Sequence, residues 1–408
     1  MDAGTTDTKV LSDTPSWNDS NQGGNGDARP GMCRSDGGRN ERQVLVVGHG
    51  LGALATVGFL EHAGLSPVLA PGDIDRPDHR VVIIWRTGLE LLERIGLRRP
   101  VEAESTPLND LRCLDPPHTW SVDPSPRPSL VAIRRDRLAD CFERQLESRI
   151  RTVDHAVRST TSTGRRIRVS FENGVTEGFD TVVTGDRAVY PETGGETSVS
   201  VIHQWAFDWP SGVPAPNVPT EAWGSRAVAF AVPVGDTVRA GLSAADGISP
   251  TAPTVIDRLH ERFTSFAGAF GEAISALDEG AIGYRRIPYQ IPVSLSRDGI
   301  VLVGPAAAAS LPGDSLGPAL SIEDGWVLAD ALRYGPTSLE AALSEYERRR
   351  RWRLATIESS MDDEAVVARV GDTPSGMTYQ FAVRRTAAFS HVLNIDPDQF
   401  TPEVPDGL

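Results

Sequence analysis

The segment Gly48-His-Gly50-Leu-Gly-Ala53 has the residue types and spacing of a turn that binds the diphosphate of a dinucleotide. It follows a short apolar run typical of a buried strand and precedes a predicted helix over 51–63. Gly48 permits a tight turn, Gly50 lets the backbone approach a diphosphate, and Ala53 lets the helix pack closely on the strand. A helix N-terminus also offers N–H groups and a partial positive charge to an anion. A plain strand-to-helix turn remains the alternative interpretation.

A second strand, predicted over 66–70, should end in an acidic residue that accepts hydrogen bonds from the hydroxyls of an adenosine ribose. At that place the sequence has Pro71. Proline offers neither an acceptor side chain nor an N–H group. Asp73 follows two residues later and could reach back. The sequence therefore predicts a phosphate-binding turn without the usual ribose contact.

The order of elements predicts an α/β protein in which a Rossmann-like lobe is interrupted by a mostly antiparallel β-sheet lobe. Amphipathic helices are predicted over 86–96 and 134–149, whereas strand patterns dominate from about residue 165. A buried strand returns at 299–304, before two further helices. The expected segments are a disordered polar arm (1–40), the first part of the dinucleotide-binding lobe (41–189), a β-rich substrate lobe (190–297), the returning strand with C-terminal helices (298–370) and a C-terminal tail (371–408).

The charge balance argues against several kinds of partner. The formal net charge is −15, and Lys9 is the only lysine. Nonspecific nucleic-acid binding needs a basic face, so it is not expected. The apolar runs are too short for a membrane span and there is no secretory signal pattern, so we expect a cytoplasmic protein. An acidic surface poor in lysine suggests a halophilic source, although a GC-rich genome would also favour arginine.

Neither a metal site nor a disulfide framework is predicted. The cysteines Cys33, Cys113 and Cys141 form no CxxC pair, and the histidines are scattered without a ligand spacing. We therefore expect these residues to be structural or surface residues.

The chain resembles the FAD-dependent monooxygenases of the single-component aromatic-hydroxylase type, over about Gln43 to Arg353. The resemblance depends on seven segments that occur in the family's order. They are the Gly48 turn, Ile84–Leu89 with Ile95–Leu97, Ile133–Leu138, Asp180–Arg187, Glu221–Gly224, Gly299–Asp324 and Tyr346–Arg351.

This resemblance implies FAD as cofactor, NAD(P)H as a transient electron donor, and O2-dependent hydroxylation of a small aromatic or other organic substrate. Gly48, Gly50 and Ala53 would form the pyrophosphate turn. The other cofactor-binding residues that it implies are Arg135 and Asp186, flanking the cofactor, and Pro312 and Gly317, beside the flavin ring. No catalytic acid or base is indicated.

Several residues depart from the family pattern. Pro305 stands where an aspartate normally binds the ribityl chain, Ala308 replaces a histidine, Ser315 replaces a loop glycine, and Arg187 replaces a glycine. With Pro71, these changes motivate a second hypothesis, a non-catalytic relative that has lost FAD and serves as a binding or regulatory module. A third hypothesis keeps FAD with a different reaction, because fold does not settle function.

The remaining charged and aromatic residues have structural interpretations. We expect Glu323 and Asp324 to be solvated charges. The run Arg348–Arg351 with Arg353 is expected to form a solvated helix face paired with Glu345 and Glu347. The aromatic residues Trp205, Trp209, Trp223, Tyr284 and Tyr289 are each expected in the core of the β-rich lobe.

Overall fold

The strands and helices of the chain form an α/β fold with two lobes, seen here in a computed structural model. The structure describes residues 42–359 apart from 73–80, 115–116, 122–129, 148, 165, 186–199, 225–226, 245–253, 264–267, 290–293 and 308–316. The strands are β1 (Val44–Val47), β2 (Val68–Ala70), β3 (Val81–Trp85), β4 (Thr106–Pro107), β5 (Asp110–Leu114), β6 (Pro117–Ser121), β7 (Leu130–Arg134), β8 (Arg151–Thr152), β9 (Val157–Ser162), β10 (Ile167–Phe171), β11 (Thr176–Phe179), β12 (Thr181–Thr184), β13 (Ser200–Asp208), β14 (Thr220–Gly224), β15 (Ala227–Val234), β16 (Thr237–Ala244), β17 (Gly283–Tyr289), β18 (Ser296–Arg297) and β19 (Ile300–Leu302).

Three of the helices lie close to the predicted ranges 51–63, 86–96 and 134–149. The described helices are α1 (Leu51–His62), α2 (Arg86–Arg94), α3 (Arg98–Ala103), α4 (Arg135–Leu146), α5 (Val255–Phe263), α6 (Ala269–Ser275), α7 (Gly317–Arg333) and α8 (Leu339–Ser359), with short 3-10 turns at Glu279–Ala281 and Gly304–Ala306. Within the described ranges, no helix is long and apolar enough to cross a bilayer.

The first lobe is built on a largely parallel sheet. Among the described residues its strands run in the order β18-β19-β12-β1-β2-β8, and only β18 is antiparallel to its neighbour. Every residue of β1 is buried, as expected for a parallel strand covered on both faces. One face packs against α1, α4 and α7. The other packs against the antiparallel sheet of β9, β10 and β11.

Helices α1 and α7 pack at very short range because both carry small residues at the contact. A Cβ atom on Gly325 would lie 2.8 Å from the backbone nitrogen of Thr56, so no larger residue fits there. Farther along, the rings of Phe59 and Trp326 meet edge-to-face at 5.7 Å. These contacts hold the middle and second half of α1 directly against α7.

The second lobe is a mixed sheet that is mostly antiparallel. Within the described residues its order is β17-β13-β16-β15-β14-β5-β6, with one parallel pair, β14 and β5. Helices α5 and α6 cover one face, where Trp205 packs edge-to-face on Phe263. Strands β5 and β6 come from residues 110–121, ahead of the range 190–297 that the sequence pattern indicated for this lobe.

The chain leaves the first lobe after β12 and returns to it at β19. These two strands are parallel neighbours, with Val182 beside Ile300 and Thr184 beside Leu302. The predicted fold class, a Rossmann-like lobe with an inserted and mostly antiparallel sheet lobe, is therefore confirmed.

Candidate cofactor-binding site

The turn between β1 and α1 has the geometry that its glycines require. Gly48 has φ +115°, a conformation that other residues rarely adopt, and its N–H donates to the carbonyl of Ala70 at 2.9 Å. A Cβ on Gly48 would lie 3.8 Å from the Cβ of Ala53. The turn therefore joins the end of β1, the end of β2 and the first turn of α1.

The N-terminus of α1 faces this turn. Gly50 caps the helix without a side chain, and the first helical hydrogen bond runs from the Leu54 N–H to the Gly50 carbonyl at 3.0 Å. The N–H groups of the first turn consequently have no acceptor within the helix. No acidic residue lies in that turn to offset the helix dipole. This end of α1 is therefore suited to an anion.

Arg135 lies at the same place. It is the first residue of α4, and its Nη2 would be 3.6 Å from a Cβ on Gly50. The neighbouring Arg134 is held by two hydrogen bonds to Asp136, Nε to Oδ1 at 3.0 Å and Nη2 to Oδ2 at 2.5 Å. A guanidinium group and a helix N-terminus thus converge at Gly50, a combination that favours phosphate.

The end of β2 offers no charged side chain in the described residues. Pro71 follows the strand directly, and Gly72 comes next. A Cβ on Gly72 would lie only 2.8 Å from the Cα of Gly48, so the two backbones are packed together. Asp73, which could reach back to this place, lies outside the described residues.

The end of β19 approaches the same turn from the other side. Gly304 has φ +64°, and a Cβ on Gly52 would lie 3.0 Å from the Gly304 Cα. The Gly304 N–H donates to Oδ2 of Asp324 at 2.7 Å. Pro305 comes next in the 3-10 turn and has no N–H. Of these two residues, neither leaves an N–H group for a ligand.

Glu323 and Asp324 are buried, which contradicts the expectation that they are solvated. Each is at most 1% exposed. Arg350 donates from Nε to Asp324 at 2.5 Å and from Nη1 to Glu323 at 3.0 Å, and Arg353 donates to both oxygens of Glu323 at 3.0 Å. We call these four residues the buried charge cluster.

Burial and pairing act in opposite directions on these groups. Burial raises the pKa of Asp324 to about 6, although Arg350 and the Gly304 N–H counteract it. Burial also opposes ionisation of Glu323, but Arg353 and Arg350 outweigh it and lower the pKa of Glu323. Burial lowers the pKa of the Arg350 guanidinium, but the neighbouring carboxylates of Asp324 and Glu323 outweigh burial and raise it overall.

The arginine run on α8 is thus only partly the solvated face that was predicted. Arg348 pairs with Glu345, and Arg351 with Glu347, as expected. In contrast, Arg349, Arg350 and Arg353 are buried. The sequence offers only a weak signal for this arrangement, an adjacent Glu-Asp pair between Ile322 and Gly325 in the first half of α7.

The remaining predicted cofactor-binding residues are Gly317, Asp186 and Pro312. Gly317 begins α7, and its carbonyl accepts from Oγ of Ser321 at 2.7 Å. Asp186 and Pro312 lie outside the described residues, together with Arg187, Ala308 and Ser315. No group of three metal-ligating side chains occurs within the described parts of the chain.

The aromatic residues of the second lobe divide into core and surface. Trp205 is 2% exposed, which confirms it as core, but Tyr284 is 55% exposed, so its predicted core position was wrong. The Tyr284 hydroxyl is 2.7 Å from Nδ1 of His203.

On the opposite face of the sheet from Trp205 lie the buried polar residues Gln204 and Glu221.

No protein-family model and no curated protein sequence matches the chain. Solved structures do match. Klebsiella pneumoniae HpxO complexed with FAD and uric acid is 16% identical with a TM-score of 0.67, over 89% of this chain and 97% of that one. The tetrameric form of 2-methyl-3-hydroxypyridine-5-carboxylic acid oxygenase is 18% identical with a TM-score of 0.65, over 88% of this chain and 97% of that one. Tetracycline destructase Tet(55) is 18% identical with a TM-score of 0.63, over 86% and 96%. The chain therefore has the fold of the FAD-dependent monooxygenases.

Proposed function

We propose that the chain binds FAD and acts as a monooxygenase-type oxidoreductase on a small aromatic or other organic substrate, with NAD(P)H as electron donor. The observation that carries the proposal is the convergence of Arg135 and the N-terminus of α1 at Gly50. It occurs where parallel strands end, which is the usual ligand site in open α/β sheets. The solved structures of this fold include HpxO and a variant of HpxO, each complexed with FAD.

The residues of the site fit the diphosphate of FAD. Gly48 and Gly50 carry no side chain that would obstruct it, the first N–H groups of α1 have no acceptor within the helix, and Arg135 supplies a cation. The fit is poorer at the hydroxyl groups, because Pro71 and Pro305 offer neither a carboxylate nor an N–H. We therefore infer that the chain holds FAD mainly through its diphosphate.

Bound FAD would supply the redox chemistry, and the protein would position the reactants and exclude water. The second lobe offers a sheet face for this purpose. Gln204 and Glu221 are buried on the face that α5 and α6 do not cover, and Nε2 of Gln204 is 3.4 Å from Oγ of Ser243. Buried polar groups of this kind, which include Ser243 and Arg239 on the same face, are suited to orienting a small organic substrate.

The proposal can be tested by titrating the purified protein, in buffers of low and high salt, with FAD while the visible absorption spectrum is recorded. We expect a stoichiometric bound flavin band. Arg135→Gln should weaken FAD about 10- to 100-fold, because a charge-assisted hydrogen bond to phosphate contributes about 1.5–3 kcal/mol. Arg137→Gln is the matched control, since Arg137 lies two residues on and is exposed. Its affinity should be unchanged.

The second candidate function is a non-catalytic relative, favoured by Pro71 and Pro305. A folded protein that binds no FAD at any salt concentration would support it and would refute the monooxygenase proposal. If FAD binds, oxidation of NAD(P)H in the presence of candidate phenols is the next measurement. Product formation coupled to O2 uptake would then support the proposed reaction.

A further inference from the structure

The end of β2 determines how an adenosine ribose is read in a β-α-β dinucleotide site. An acidic side chain there accepts hydrogen bonds from the ribose hydroxyls. In this chain the strand ends at Ala70, whose carbonyl is already used by the Gly48 N–H at 2.9 Å. The next residue is Pro71, so the position of the acceptor side chain is filled by a pyrrolidine ring.

The following residue cannot take over this role. A Cβ on Gly72 would lie 2.8 Å from the Cα and 3.4 Å from the nitrogen of Gly48. These are backbone atoms, so a side chain at position 72 would push the strand end away from the phosphate turn. Pro71 and Gly72 together therefore present no carboxylate beside the turn.

The favourable contacts lie instead at the diphosphate. The N-terminus of α1 and Arg135 converge at Gly50. At the end of β19 the Gly304 N–H is engaged by Asp324, and Pro305 has none. Among the described residues, the groups suited to a ligand therefore lie where its charged diphosphate would bind and not at the end of β2, where its sugar would lie.

We propose that Pro71 is a specificity-determining residue, because it leaves the hydroxyls of the adenosine ribose without a carboxylate to accept their hydrogen bonds. The site binds adenosine diphosphates and their esters through the diphosphate and does not distinguish a ribose from a 2′-deoxyribose. This inference rests on the proposed FAD site and deepens it. It implies that FAD is a dissociable ligand of this chain.

The test compares the dissociation constants of ADP and 2′-deoxy-ADP for the full-length protein by calorimetry. For the wild-type protein we expect the two values to agree within about two-fold. Pro71→Glu should tighten ADP about ten-fold more than 2′-deoxy-ADP, because both keep the 3′-hydroxyl but only ADP has a 2′-hydroxyl to donate a charged hydrogen bond to the new carboxylate. Pro71→Ala removes the ring without adding an acceptor, so it should keep the ratio near one. Pro71→Asp is the second variant should the glutamate disturb folding.

Asp73 is tested in the same series. If the wild-type protein binds ADP about ten-fold more tightly than 2′-deoxy-ADP, the proposal is wrong. Loss of that preference in Asp73→Asn would then show that Asp73 accepts the hydrogen bond from the 2′-hydroxyl. If wild-type protein does not discriminate and neither Pro71→Glu nor Pro71→Asp creates discrimination, position 71 does not face the ribose and the proposal is again overturned. A protein that binds neither ADP, 2′-deoxy-ADP nor FAD would instead contradict the proposed function itself.

Discussion

The ends of β2 and β19 both press a glycine against the turn between β1 and α1, but they are held in different ways. At β2, Gly72 packs directly on Gly48 without a charged side chain among the described residues. At β19, Gly304 packs on Gly52 and is also fixed by Asp324, whose carboxylate is shared with Arg350. The comparison teaches that the backbone of the phosphate turn can be positioned without charges that face a ligand.

The charged residues near the turn therefore fall into two groups, one that stabilises the fold and one that lies where a ligand would bind. Those of the buried charge cluster join α7, α8 and the Gly304 turn, and they are enclosed by protein. Arg135 lies beside Gly50, at the opening of the turn. We therefore expect a change at Pro71 to leave the buried charge cluster intact, whereas a change in the cluster should disturb Gly304 and through it the turn.

The largest effect on stability is expected when Arg350, the cation paired with Asp324 near the end of β19, is replaced. Arg350→Met should lower the free energy of unfolding by about 3–5 kcal/mol, because Asp324 and one bond to Glu323 would be left as uncompensated buried charge. Arg348→Met is the control on the same helix. Its pair with Glu345 is partly exposed, so we expect a loss below about 1 kcal/mol. Equal losses in urea unfolding would contradict the distinction.

The next largest effect concerns pH. Because the pKa of Asp324 is raised to about 6 from an ordinary value near 3.9, the folded protein holds this proton more tightly than the unfolded chain. Its contribution to stability therefore falls as pH rises from about 4 to 6, by about 3 kcal/mol, and is constant above. The difference in unfolding free energy between wild type and Asp324→Asn should fall across this window.

Glu323→Gln provides the matched control for this measurement. The pKa of Glu323 is lowered despite its burial, because Arg353 and Arg350 stabilise the charged form. Its stabilising contribution is fully present above its ordinary pKa of about 4.3 and is lost below it. The difference between wild type and this variant should thus be flat from pH 4.5 to 6. A difference for Asp324→Asn that rises with pH would mean that Arg350 outweighs burial.

The smallest effect tests the β2 end. Gly72→Ala should lower the free energy of unfolding by about 1–3 kcal/mol, because the added methyl group meets backbone atoms of Gly48. Gly317→Ala is the control, since a Cβ on Gly317 would meet no atom of the described residues within 4 Å. Its effect should lie within about 0.5 kcal/mol. If both variants are equally stable, the contact between the two glycine backbones is more adaptable than the structure indicates.

Much of the fold could be predicted because its signals are local. The buried run before Gly48, the amphipathic helices and the returning strand at Ile300 each follow from residue type and period. The turn glycines were predictable for the same reason, since a left-handed φ at Gly48 leaves few other residues possible.

The buried charge cluster was not predictable in this way. Glu323 and Arg353 lie 30 residues apart on two successive helices, and surface charges have the same local pattern as buried charges that pair with another helix. The strands β5 and β6 were missed for a similar reason. They join a sheet whose other strands come much later, and strand pairing between distant residues leaves little mark on the local sequence.

The pairing of β12 with β19 also has a consequence for synthesis. Val46 lies beside Val183, and Val183 beside Val301, so the central sheet draws on the beginning and the end of the described chain. The lobe that leaves the ribosome first is therefore completed last, when α7 reaches α1. Until then the side of α1 that packs on α7 stays uncovered, although its side toward α4 is not. This delay lengthens the exposure to aggregation and favours slow folding governed by distant contacts.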